Sequence, residues 1–371
     1  MGVRTARLAA ISVVALIGSV LVAGQADAGG DHSSLKPVVK GLVSPRGVAV
    51  TANGKKIVYS VGDGSVYEAW ANGKRIRKLG QVPGGFAPAI DTNVWGTTYA
   101  LTGAAGEPPA PPTPGSTTLY KLRPGKAPQV VADIGAYQKK DPDPYDLENN
   151  PTDSNPFGVA ALKDGTVLVA DAAGNDLLRV WPNGHIKTIA RLKPRVVKVP
   201  TGLPPPPAFP PAGTPLNAEA VATSVTVGSD GYYYVGELRG FPGTPGTSQI
   251  WRIKPGSYNA VCDPYKPNKG NCQRYADGYT SIVDLAAGPR GAIGVVELAK
   301  IGWLKWEVSN SAPTAGSLFL QYPGKHHKAG YKKELAKGKI INPGGAAISR
   351  WGDVYVSSPI FGPGAIYKVK H

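Results

Sequence analysis

Apolar residues in this chain come in short runs broken by Gly, Asn, Asp and Pro, and no long stretch repeats at helical spacing. The pattern is clearest in residues 155–192, NPFGVAALKDGTVLVADAAGNDLLRVWPNGHIKTIARL. Its apolar runs, 159–161, 167–170, 177–181 and 186–192, are separated by Lys163-Asp164-Gly165, by Asp171 with the small loop 172–175, and by Pro182-Asn183-Gly184. Asp-Gly and Asn-Gly between β-favouring runs are strong hairpin signals, because Gly, Asn and Asp take positive φ at little energetic cost. Four short strands joined by three turns make one antiparallel sheet the size of a propeller blade.

The unit recurs. Aligned on its first turn, it predicts blade 1 over 44–79, a degenerate blade 2 over 87–134, blade 3 over 155–192, blade 4 over 224–276, blade 5 over 282–322 and blade 6 over 343–369. Blade 6 runs out of chain after its third strand. The run 36–42, which precedes blade 1, is placed to supply the missing outer strand. The prediction is an all-β fold: a six-bladed β-propeller of four-stranded antiparallel blades. Its ring is closed by an N-terminal strand, and closure removes free sheet edges. Residues 29–371 would form this single domain.

In such a meander the first and third turns of each blade share one face, while the second loops and the blade-to-blade crossovers share the other. The long Pro/Gly-rich segments 103–116, 135–154, 193–217, 238–247 and 299–316 all fall on the second face. Long loops on a rigid scaffold commonly carry function, so this face is the expected functional one. Segments 259–272 and 323–337 read as insertions on the opposite rim.

Composition adds a cellular address. Residues 1–28 read as an export signal, with Arg4 and Arg7, an apolar stretch over 8–23 and the cleavage site Ala26-Asp27-Ala28. The apolar stretch is short for a membrane span. The mature chain is therefore expected outside the membrane, secreted or envelope-associated, after cleavage near Ala28. Cys262 and Cys272 bracket a polar loop, and in an oxidising compartment they are expected to form a disulfide. The formal charge of +16 is concentrated in 187–198 and 325–339. The plain reading is a solvated basic surface; the sharper one is attraction to an anionic envelope polymer or acidic polysaccharide, nucleic acid being a partner that an exported protein seldom meets. A monomer is the working expectation.

The alignment places Asp171, Glu237 and Glu297 at one position, the exit of the second strand. A ring of carboxylates near one mouth could meet a polar ligand or hold a divalent cation, with Asp284, Glu237 and Glu297 as its ligands. Alternatively, an acid at this position accepts backbone N–H bonds and fixes the following loop. Asp284 stands where blade 3 has Gly158, at the start of an innermost strand, and is the strongest single polar candidate. Arg46, Phe157, Thr223 and Ser224 are expected to border the same opening, while Asp91 sits in the blade that aligns worst. None of the five histidines falls at the loop-face end of an inner strand, which argues against imidazole catalysis.

Three segments carry a resemblance: 155–180, 220–253 (with VGEL and GFP inside) and 279–302 (with IVDL inside). They resemble the ScyD/ScyE-type secreted propeller family, which is similar to NHL-like propellers. The resemblance implies an exported six-bladed propeller with no catalytic residues to carry over. The resulting expectation is a non-enzymatic binding or scaffold propeller without a required cofactor, whose ligand or protein partner meets the loop-face mouth. The alternative is a carboxylate-metal hydrolase or lyase of the lactonase-like propeller type.

Overall fold

The computed structural model describes residues 33–83, 86–105 and 113–371; the expected export signal 1–28 and residues 106–112 of loop 103–116 lie outside them. The chain forms six blades in sequence order: 48–81, 89–133, 156–192, 222–279, 282–334, and 345–370 completed by 34–43. The last blade has the closure expected from its sequence. Ser34–Val43 pairs antiparallel with Pro363–Lys370, from Ser34 opposite Lys370 to Val43 opposite Pro363.

Six hydrophobic clusters fill six seams, one between each pair of neighbouring blades. Val66, Leu79, Ala100 and Tyr120 join blades 1 and 2; Ala347, Tyr355 and Ile366 join blade 6 to Ile57 and Tyr59 of blade 1. Because alternate side chains of a strand point to opposite faces, each blade sends one set forward and one back. Both faces are therefore buried. This explains why the inner strands read as nearly continuous apolar runs, such as Val167-Leu168-Val169-Ala170, rather than as alternation.

The departures from expectation lie at the periphery. Segment 323–337 is not a plain insertion, because Ala329–Glu334 within it is the outer strand of blade 5. An outer strand faces solvent, and the half-exposed run AGYKKE lacks an apolar signature. Segment 259–272 likewise contains a strand, Ala260–Cys262, which adds in parallel to Ala190–Leu192 of blade 3. Crossover 193–217 folds into its own hairpin, Arg195–Lys198 against Pro215–Ala218. The loop face also holds two short helices, α1 (Ile134–Gln138) and α2 (Trp303–Val308). Among the described residues no helix is long and apolar enough to cross a membrane.

Candidate functional site in the central channel

The inner strands converge on a narrow channel. Seven residues before the positive-φ turn glycines Gly54, Gly96, Gly165, Gly231, Gly291 and Gly352 stand Gly47, Ala89, Gly158, Ser224, Asp284 and Gly345. The ring is built of small residues for a steric reason. A Cβ on Gly158 would sit 2.6 Å from Ser224 Cα and 2.8 Å from the Thr223 carbonyl, and one on Gly345 would sit 2.7 Å from the Arg46 carbonyl. The backbone of the next blade passes too close for a side chain.

Asp284 is the exception, and the seam accommodates it by bonding to it. Its Oδ2 accepts the Ala346 N–H of blade 6 at 2.8 Å. Two residues farther along the inner strands the device repeats. Asp91 of blade 2 accepts the Ala161 N–H of blade 3 at 2.8 Å, and Thr226 Oγ1 of blade 4 accepts the Ala287 N–H of blade 5 at 3.0 Å. Arg46 reaches farther than any of these. Its Nη1 donates to the Ala87 carbonyl at 3.2 Å and its Nη2 to the Phe157 carbonyl at 2.6 Å, while the guanidinium lies 3.9 Å over the Phe157 ring. The side chain thus runs from blade 1 past blade 2 to blade 3, across the loop-face end of the channel.

Arg46, Asp91, Phe157, Thr226 and Asp284 line a cavity of about 150 Å³. That is below the roughly 300–1,000 Å³ typical of drug-sized ligand pockets, so only water or a small ligand fits inside. Burial dominates the electrostatics. It pushes the Asp284 carboxyl up to about 7, against backbone hydrogen bonds from Ala346 and Leu285 and the attraction of Arg46. It pushes Asp91 up to about 6 and lowers Arg46 to about 10, with Asp284 opposing the drop. Two carboxyls that titrate near neutrality beside one buried guanidinium can bind a polar group and exchange protons with it.

The structure brings Arg46, Phe157 and Asp284 to one cavity and leaves the other candidates outside it. Thr223 is buried, its hydroxyl donating to the Ile282 carbonyl at 2.6 Å, and the buried Ser224 hydroxyl has no hydrogen-bond partner. Asp171 accepts the backbone N–H groups of Asn155, Ala173 and Gly174 and the Ser154 hydroxyl, and so fixes the loop around it. Glu297 accepts the Thr280 N–H at 2.7 Å, holding the crossover into its own blade. Glu237 is fully buried and bonds Arg239 and the Trp251 indole. Burial raises all three of these acids. Asp284, Glu237 and Glu297 do not assemble as a ligand set, and among the described residues no group of three or more His, Cys, Asp or Glu is placed to hold a metal ion.

Asp91 is the channel residue that the sequence placed least surely. Blade 2 turns through Asn93-Val94-Trp95-Gly96 rather than an Asx-Gly pair. Counting back from Gly96 would have put Asp91 on the wall.

Neither a protein-family model nor a curated protein matches the chain. Solved structures do. A glucose dehydrogenase is 11% identical, with TM-score 0.57 over 91% of this chain and 99% of its own. The PQQ-bound aldose sugar dehydrogenase of Streptomyces coelicolor is 14% identical, with TM-score 0.54 over 92% of this chain and all of its own. A gluconolactonase of Xanthomonas campestris is 8% identical, with TM-score 0.53 over 91% of this chain and 89% of its own. The similarity establishes the six-bladed propeller fold. Identities this low establish nothing about chemistry.

Proposed function

We propose that this chain is an exported propeller enzyme acting on a small polar molecule at the loop-face end of its channel, by proton-transfer chemistry of the hydrolase or lyase kind. One observation carries the reading: Asp284, a carboxyl held near neutrality, lines the cavity that Arg46 crosses. Asp284 is the proton-transferring group, and Arg46 meets a carboxylate or carbonyl oxygen of the substrate. General acid–base groups work best with a pKa near the working pH. Similar folds named as sugar dehydrogenases and a gluconolactonase support sugar-derived compounds as the class to test first. Incubation with a panel of aldonolactones and aldoses, followed by NMR, should reveal turnover that falls at least about a hundredfold in Asp284→Asn. Turnover unchanged in that variant would remove Asp284 from the role.

A second reading is a binding propeller of the ScyD/ScyE type. It is favoured by the bonds that already engage Asp284, which make the carboxyl a tie between blades. Calorimetric binding of a lactone or aldose without turnover would select it.

A further inference from the structure

The face opposite the long loops carries an unexpected concentration of tryptophan. Of seven tryptophans in the chain, Trp70, Trp95, Trp181 and Trp351 sit at tight turns on this face. Trp95 is 78% exposed and Trp351 is 70% exposed. Arg350 lies 4.3 Å from the Trp351 ring centre, Arg179 5.2 Å from that of Trp181 and Arg75 5.7 Å from that of Trp70.

Beside Trp351 the face opens into a cleft between blades 5 and 6, about 520 Å³ in volume. One wall is the turn Pro289–Gly291, carrying Arg290, with Tyr322 behind it; the other is Trp351 and the strand end with Lys368 and Lys370. Asp353 is the acid in this lining, and it is committed to Lys368 at 2.7 Å. Next to the cleft, Lys325, His326 and His327 form the turn that leads into the outer strand of blade 5, where Tyr331 is 69% exposed and stacks on Tyr322.

We propose that this cleft binds an anionic polysaccharide. Trp351 and Tyr322 offer flat apolar faces for the CH faces of sugar rings, while Arg290 and Lys370 meet carboxylate or sulfate groups. The cleft lies within the volume range of sites that enclose a ligand of a few rings, and a concave site suits a chain of sugars better than a flat lipid surface. The basic turn Lys325–His327 follows closely on Tyr322 in the chain, so the cleft opens onto further positive charge. This site lies on the opposite face from the channel mouth and does not depend on the chemistry proposed there.

The test is calorimetric titration of the intact protein with a defined oligogalacturonate, with neutral dextran oligosaccharide, anionic phosphatidylglycerol vesicles and duplex DNA in parallel. Oligogalacturonate should bind and weaken as salt rises, dextran should not bind, and Trp351→Ala and Lys370→Ala should each reduce affinity at least about fivefold. Trp95→Ala, across the same face, should leave it unchanged. Lys370 is exposed at a strand end, so its variant keeps the test valid if Trp351→Ala misfolds. No binding of oligogalacturonate, affinity indifferent to both cleft variants, or tighter binding of vesicles or DNA through the same residues would overturn the assignment.

Discussion

Asp284 Oδ2 accepts the Ala346 N–H at 2.8 Å, so the one acidic member of the small-residue ring also ties blade 5 to blade 6. This contact has a pH dependence whose sign follows from burial. In the unfolded chain the carboxyl titrates near 4; in the fold it titrates near 7. Between those values the folded state holds the extra proton, so the contribution of Asp284 is fully present below about pH 4 and is lost as the pH rises through 7. Asp91, raised to about 6, acts in the same direction. Asp284→Asn keeps an oxygen for Ala346 and removes the titration. Urea unfolding from pH 5 to 7 should therefore show wild type losing stability more steeply than the variant, by up to about 1.4 kcal/mol per pH unit. Parallel slopes would mean that the carboxyl is not buried as described.

The Glu237–Arg239 pair is a structural ion pair, and mutation should separate it from function. Both residues are fully buried, and Arg239 also donates to the carbonyls of Ala218 and Glu219, pinning the end of a crossover. Removing one partner leaves a buried charge uncompensated. Glu237→Gln should destabilise by about 3–5 kcal/mol in chemical denaturation. The double change Glu237→Leu with Arg239→Met should recover much of that loss. Any ligand bound in the channel should retain its affinity at temperatures where the variants are folded.

How much of this was legible in the chain depends on what each residue answers to. The six blades were visible because the first turn of each blade has a residue at positive φ, so the turn glycines from Gly54 to Gly352 act as fixed marks. Closure by the first strand followed from the blade that lacked one. Asp284 was visible as a departure from Gly158, but its meaning was not, because the bond to Ala346 crosses 62 positions in sequence. Glu237 looks available for a ligand in the sequence because nothing there signals that its partner stands two residues away. Arg239 takes φ +71, which folds it back onto Glu237, and a side chain other than glycine rarely announces that conformation. The outer strand of blade 5 was hidden by its own exposure, and the tryptophan face by turns that carry no periodic signal.

Ring closure gives a third prediction. Val39, 4% exposed, packs in the seam between blades 6 and 1 together with Tyr355 and Ile366. The closing strand completes the last blade and leads straight into the first, and its Val39 joins the seam between them, so a charge there weakens the closure of the circle rather than one blade alone. Val39→Asp should cost several kcal/mol and broaden the unfolding transition, because an unpaired buried charge opposes the seam. A variant that unfolds as sharply and as late as wild type would show that the ring holds without this strand. Size-exclusion chromatography should also register the exposed edge of Pro363–Lys370 as association.

The disulfide is the last feature that can be tested in isolation. Cys262 and Cys272 are bonded, with their Cα atoms 5.0 Å apart. Cys262 belongs to the strand that pairs with Ala190–Leu192 of blade 3, while Cys272 begins the outer strand of blade 4. The bridge therefore fastens two neighbouring blades at their rims, with the Lys193 N–H donating to the Cys262 carbonyl at 3.1 Å. Closing so short a loop stabilises by about 2–3 kcal/mol on the chain-entropy account. Cys262→Ser with Cys272→Ser should lose about that much in guanidinium unfolding. The effect should also be local. Hydrogen exchange should rise at Lys193, whose partner strand is freed, while Ile366 and Val369 in blade 6 keep their protection. Uniform loss of protection around the ring would instead mean that the blades unfold as one unit, with the bridge contributing only through the unfolded chain.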